Sequence, residues 1–290
     1  MDQTDPEDIL SSSLETLYDY APITQSSAGS VFTYTRPLTP SSCLDPASQV
    51  LTINLITPDT QAKNWSLHAS SIWVSSLFLA DHLEDLHLDR RSSSACPLQV
   101  LELGAGAGLP SILISRLNSH VFVTASDYPD ADLIRALEDN VKRNNAADRC
   151  RVVPFAWGSD IIKLIPEPQA QFCIGDEFVH LPGFDAIVAA DTLWNPELHQ
   201  LFIDTLCRAM TKTADARAYL VAGLHTGRYT IQAFLNAVLK VGLEVEEALE
   251  RELKGDGKRG WMVERAEEED ERERRRWVVW IVLKWGHEAF

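Results

Sequence analysis

The chain has 290 residues, 45% of them hydrophobic, and a formal net charge of −16. That length suffices for a domain with a sizeable core, and the acidity speaks against broad nucleic-acid binding, which needs a basic footprint over the phosphates. No apolar run approaches the roughly 20 residues of a membrane span, and the acidic start, with Arg36 as the first basic residue, lacks the marks of a secretory or mitochondrial leader.

Residues 1–30 are rich in Ser, Thr, Asp and Glu without sustained periodicity and are expected to form a flexible extension, with one short helix at 9–18. Residues 31–35 and 49–56 alternate apolar with polar side chains and predict a small strand pair, joined through Pro37, Pro40 and Pro46. Ile72, Trp73, Leu77, Leu79, Ala80 and Leu83 recur at helical spacing and predict a helix over 70–86, followed by a loop at 90–97. From there strands and helices alternate. Strands are expected at 98–103, 120–126, 150–155, 184–190, 217–223, 243–249 and 276–285. Helices are expected at 111–118, 130–144, 196–212 and 228–241, with a helix or loop at 159–166.

This alternation predicts an α/β, Rossmann-like, seven-stranded and mostly parallel sheet with helices on both faces and its last two strands as an antiparallel edge hairpin. It places one domain at 31–290, with the strand pair within 31–62 and a charged loop at 255–276. The run 264–276, acidic first and basic afterwards, reads as a solvated face. Cys43, Cys96, Cys150, Cys173 and Cys207 are scattered with no C-x-x-C pair. That suits a reducing compartment, the cytoplasm with nuclear access left open, better than a disulfide framework or a metal site. A basic protein or peptide would complement the charge, although acidity also serves solubility.

The stretch 98–110, Leu-Gln-Val-Leu-Glu-Leu-Gly-Ala-Gly-Ala-Gly-Leu-Pro, is an apolar strand that ends in Glu102 and three alternating glycines, with a helix to follow. Glycine lets backbone approach a ligand, and the helix offers its positive N-terminal end. A dinucleotide fingerprint would need its third glycine at 109, where this chain has Leu109, so a dehydrogenase is disfavoured. Acid-x-Gly-x-Gly-x-Gly instead fits the nucleoside loop of S-adenosylmethionine (AdoMet) enzymes; a chance glycine loop is the alternative.

In open α/β sheets, ligands bind beyond the carboxyl ends of the strands. Asp127 ends the second main strand, where it can accept both ribose hydroxyl hydrogens or cap the next helix beside Pro129. Trp157, next to Gly158, can stack on a purine or close the core. Asp191, Trp194 and Asn195 follow the strand at 184–190, and His225 follows that at 217–223, where it can face an acceptor or serve structure alone.

In order, residues 102–110, Asp127-Tyr128-Pro129-Asp130, Ala156-Trp157-Gly158 and Asp191-Thr192-Leu193-Trp194-Asn195 resemble the lysine methyltransferase-like branch of the seven-stranded AdoMet methyltransferases. The Leu-Pro after the glycines and the Asp-Tyr-Pro-Asp segment most resemble its fungal nicotinamide N-methyltransferase-like group. Members of that group include the enzyme acting on the N-terminus and an adjacent lysine of elongation factor 1-alpha. The resemblance implies AdoMet as cofactor, held by Trp73, Glu102, Gly104, Gly106, Gly108, Asp127, Tyr128, Trp157 and Ala190. It implies Asp191, Trp194 and Asn195 as the catalytic, acceptor-shaping set, with no metal. A monomeric N-methyltransferase of a protein lysine or N-terminus is the expectation, with elongation factor 1-alpha as first candidate and neither nucleic acid nor membrane as partner. A small-molecule N-methyltransferase, taking a nicotinamide-like compound or a fungal metabolite, and a non-catalytic binding module are the alternatives. The chain departs from the group in carrying Trp194 where Tyr or Phe is commoner, and in Pro196-Glu197-Leu198-His199 where relatives carry a His-Ser-Glu-His-like run.

Overall fold

A computed structural model describes residues 22–38, 50–60, 62–88, 97–166 and 183–289; the helix expected at 9–18 and most of the 90–97 loop lie outside them. The chain opens with β1 (Thr24–Gln25), then β2 (Val31–Pro37) and β3 (Val50–Ile56), which pair antiparallel as the alternation predicts. β4 (Ile72–Trp73) leads directly into α1 (Val74–Asp81). The alternating part comprises β5 (Leu98–Leu103), α2 (Leu109–Leu117), β6 (Val121–Asp127), α3 (Ala131–Arg143), β7 (Cys150–Pro154), β8 (Ala186–Ala190), α4 (His199–Ala209), β9 (Arg217–Gly223) and α5 (Arg228–Val238). It closes with β10 (Leu243–Glu252), β11 (Lys258–Gly260), the short α6 (Glu271–Arg274) and β12 (Trp277–Trp285).

The main sheet runs β11-β10-β12-β9-β8-β5-β6-β7, parallel from β9 through β7 and antiparallel from β9 outward to β11. Both faces are covered, which explains the nearly unbroken apolar run of β12. Val278, Trp280 and Val282 join the core layer beneath α1 and α2, and Val279, Ile281 and Leu283 join the layer beneath α4 and α5. Among the described residues no helix is long and apolar enough to cross a membrane.

Three expectations need correction. The helix over 70–86 is instead the eight-residue α1, followed by a 3-10 turn at Leu83–Leu86. Ile72 and Trp73 are withdrawn from it because they pair antiparallel with Gln25 and Thr24, a partnership no local periodicity reveals. The sheet has eight strands, because Lys258–Gly260 adds an edge strand within the segment expected to be a loop. The 264–276 run is not merely solvated. Glu269 grips Arg228 through both carboxylate oxygens at 2.6 Å, and Arg265 reaches Glu250 at 2.5 Å. Arg228 and Glu250 side chains are fully buried and bonded to each other at 2.6 and 2.9 Å.

The N-terminal strand pair is stapled to α3 by two asparagines, Asn140 within the helix and Asn144 at its C-cap. Asn144 exchanges both amide bonds with the backbone of Asn54, and Asn140 does the same with Ile56. Each side-chain amide thus continues the backbone pairing that an edge strand would otherwise leave open. Asn140 also donates to the carbonyl of Ala107, which ties the strand pair to the glycine loop.

Candidate active site

The carboxyl ends of β5, β6 and β8 open into a cleft of about 290 Å³. Trp73, Glu102, Gly104, Gly106, Gly108, Asp127, Tyr128, Trp157, Ala190, Asp191 and Trp194 all line it. Of the predicted site residues only Asn195 does not; its side chain accepts from the Glu197 backbone N–H at 3.0 Å and caps the turn into α4.

The glycine loop is shaped by its neighbours. Gly108 sits at φ +88°, and a Cβ there would come within 2.5 Å of Leu137 Cδ1, so the turn into α2 packs directly on α3. Gly106, at φ +55°, would carry a Cβ into open space with nothing within 4 Å. Its backbone therefore faces the cleft bare, which suits close approach by a ligand. The Gly106 N–H donates to Asp127 Oδ2, and the Tyr128 N–H donates to Oδ1, each at 2.6 Å. Asp127 is not the cap of α3; Asp130 is, accepting from the N–H groups of Asp132 and Leu133. Two bonds leave the Asp127 carboxylate with further acceptor capacity toward the cleft.

Glu102 is 1% exposed and accepts from both the backbone N–H and the hydroxyl of Ser111 in the first turn of α2. Burial pushes its carboxyl up to about 8, with the Asp127 charge adding, against the two bonds from Ser111. Burial likewise lifts Asp127 to about 6, with Gly106 and Tyr128 opposing and Asp130 reinforcing.

Asp191 stands one residue past β8 in the left-handed region, φ +56°, a conformation Asp tolerates better than most residues. Its Oδ1 accepts from the Gly223 N–H at 3.0 Å and lies 3.6 Å from His225 Nε2. Its Oδ2 is buried without a hydrogen-bond partner. Burial raises its carboxyl above the ordinary value; His225, Gly223 and the adjacent Ser75 hydroxyl, which lies outside hydrogen-bond geometry, act in the opposite direction.

Above Asp191 the wall is aromatic. Trp73 stacks on His225 with centroids 5.1 Å apart and rings 21° from parallel. His68 meets Trp73 edge-on at 6.2 Å and Trp194 at 5.1 Å. His199 holds the loop after β8 from behind, with Nε2 at 2.9 Å from the Leu193 carbonyl. Trp157 packs edge-on against Phe202 at 4.8 Å, as the core reading expects, and also lines the cleft. His68 is one of the lining residues that sequence reasoning missed.

Among the described residues the cleft wall thus holds three carboxyl groups, Glu102, Asp127 and Asp191, and neither Lys nor Arg. Burial keeps Glu102 protonated to about pH 8, so the ionisable acids at neutral pH are the aspartates, which favour a cationic occupant over a pyrophosphate.

Comparison with known proteins agrees with this chemistry. A family described as lysine methyltransferase matches residues 59–240. A protein N-terminal and lysine N-methyltransferase of Schizosaccharomyces pombe is 30% identical over 225 residues, 74% of this chain and 81% of that one. Its namesake from Gibberella zeae is 29% identical, covering 72% of this chain and 79% of its own. An EEF1A lysine methyltransferase 3 of Xenopus tropicalis is 29% identical over 48% of this chain and 51% of its own.

Proposed function

The chain belongs to the lysine methyltransferase family, and from that premise we propose that it transfers a methyl group from AdoMet to amine nitrogens of a protein, elongation factor 1-alpha first among candidates. The observation that carries this reading is the cleft wall of Asp127 and Asp191, beside protonated Glu102 and, among the described residues, without a Lys or Arg side chain. It suits two positively charged reactants, a sulfonium donor and a protonated amine.

The residues present fit AdoMet. Gly106 presents bare backbone, Asp127 keeps acceptor capacity for ribose hydroxyls, and Trp157 offers an aromatic face for adenine. When bound, AdoMet supplies an electrophilic methyl on sulfur. The remaining work is positioning, desolvation and a proton. Asp191 holds Oδ2 free for an amine N–H, orienting the nitrogen and drawing its proton, and its burial-raised basicity aids that acceptance. Trp73 and Trp194 flank the acceptor approach with π faces that tolerate a cation and exclude water.

The test is incubation of the purified chain with labelled AdoMet and either elongation factor 1-alpha or nicotinamide. Label on the factor, mapped by mass spectrometry to its N-terminus or a lysine, is the expected result. Label on nicotinamide with a blank protein band would overturn the protein acceptor.

A further inference from the structure

His68 directly follows the 3-10 turn Ala62–Leu67, lines the cleft and is an exposed residue. Its backbone is left-handed, φ +52°, a conformation that side chains disfavour. Two backbone bonds lock it there. Its N–H donates to the Trp65 carbonyl at 3.0 Å, and its carbonyl accepts from Trp73 Nε1 at 2.7 Å. Two perpendicular ring contacts, to Trp73 of β4 and to Trp194 in the loop after β8, then hold the imidazole. Among the described residues no hydrogen bond reaches its ring nitrogens. A rigidly held, exposed imidazole without a core to pack into is a polar head turned toward whatever enters.

We propose that His68 is the specificity-determining residue of the acceptor side, hydrogen-bonding a peptide group of the protein that carries the methylated amine. This deepens the protein-amine reading and rests on it. A neutral imidazole presents one donor and one acceptor, and a peptide group presents the matching acceptor and donor. Asp191, Trp73 and Trp194 line the same cleft, and His68 is the lining residue whose ring touches both tryptophans. The residue leaves the proton and the methyl to other groups and selects which amines arrive.

Steady-state kinetics on elongation factor 1-alpha, with nicotinamide as the second acceptor, test this in wild type, His68→Ala, His68→Phe and His68→Gln. Loss of one or two hydrogen bonds predicts a KM for the factor raised about five- to tenfold in His68→Ala and His68→Phe, with kcat within about twofold. His68→Gln, which keeps a donor and an acceptor, returns KM to within about twofold of wild type. The AdoMet dissociation constant, read by calorimetry, stays unchanged in all three. A wild-type KM in His68→Phe would reduce the residue to ring packing and overturn the assignment, as would an unmoved KM in His68→Ala or a parallel loss of AdoMet binding. A wild type that leaves the factor unlabelled overturns the protein-amine reading and this assignment together, whether or not nicotinamide is methylated.

Discussion

Two regions of this molecule bury carboxylates, and they treat them in opposite ways. In the β10–α5 region, Glu250 and Glu269 enclose Arg228, with both carboxylates bidentate and Arg259 and Arg265 adding bonds to Glu250. Burial alone would lift Glu250, but Arg228 and Arg259 hold it below the ordinary value. At the cleft, burial wins: Glu102 rises to about 8, Asp127 to about 6, and Asp191 keeps an oxygen without a partner. Saturated charge is architecture. Carboxyl groups whose proton affinity burial raises, and which line a cleft, are candidates for chemistry.

That contrast is broken most sharply at Arg228. Arg228→Ala leaves Glu250 and Glu269 buried without their counter-charge, and the expected loss is about 3–5 kcal/mol of stability. A denaturant midpoint that stayed put would mean that the cluster is decoration and the comparison false.

Asp191→Asn tests the other side. Asparagine tolerates the left-handed backbone and can keep the bond from Gly223. The fold should therefore hold its unfolding midpoint or gain slightly, since a buried unpaired charge is gone. Methyl transfer should fall about a hundredfold or more, as expected when a positioning contact at the reacting nitrogen is lost. Calorimetry should still find AdoMet binding. A mutant that unfolds, or one that retains full activity, would place Asp191 with the structural carboxylates.

The cleft was more legible in sequence than the cluster, for a physical reason. Glu102, the glycines, Asp127, Trp157 and Asp191 each sit at a strand end, and strand ends of a parallel sheet are brought together by topology alone. The Arg228 cluster depends on where the 255–276 segment returns, and Lys258–Gly260 carries no apolar alternation to announce a strand. The helix over 70–86 failed because pairing to Thr24–Gln25 is a long-range event. His68 left no local signal, since its meaning comes from lying between Trp73 and Trp194. Asp127 could have capped the next helix by its place in the sequence, and only geometry assigns that cap to Asp130.

A single buried carboxyl, Glu102, also gives the stability a pH dependence. Folded Glu102 keeps its proton up to a pH of about 8, whereas an exposed glutamate gives it up near 4.5. Within that window the folded chain binds more protons than the unfolded chain, so stability falls as pH rises from about 5 to 8. Asp127, lifted to about 6, adds the same sign over the lower part of the window. Glu102→Gln keeps an acceptor for the Ser111 N–H and cannot ionise, so its unfolding midpoint should change less across that range than that of wild type. Paired Glu250 has the reverse sign: its folded carboxyl lies low, so its contribution is present above the ordinary glutamate value and vanishes on acidification. Thermal unfolding without ligand at pH 5 and pH 8, compared between wild type and Glu102→Gln, reads the difference. Identical slopes in the two proteins would show that Glu102 is ionised in the folded chain across the whole range. AdoMet present at saturation should shrink the wild-type slope, because a sulfonium in the cleft supplies the counter-charge that Glu102 lacks and lowers its proton affinity toward the exposed value.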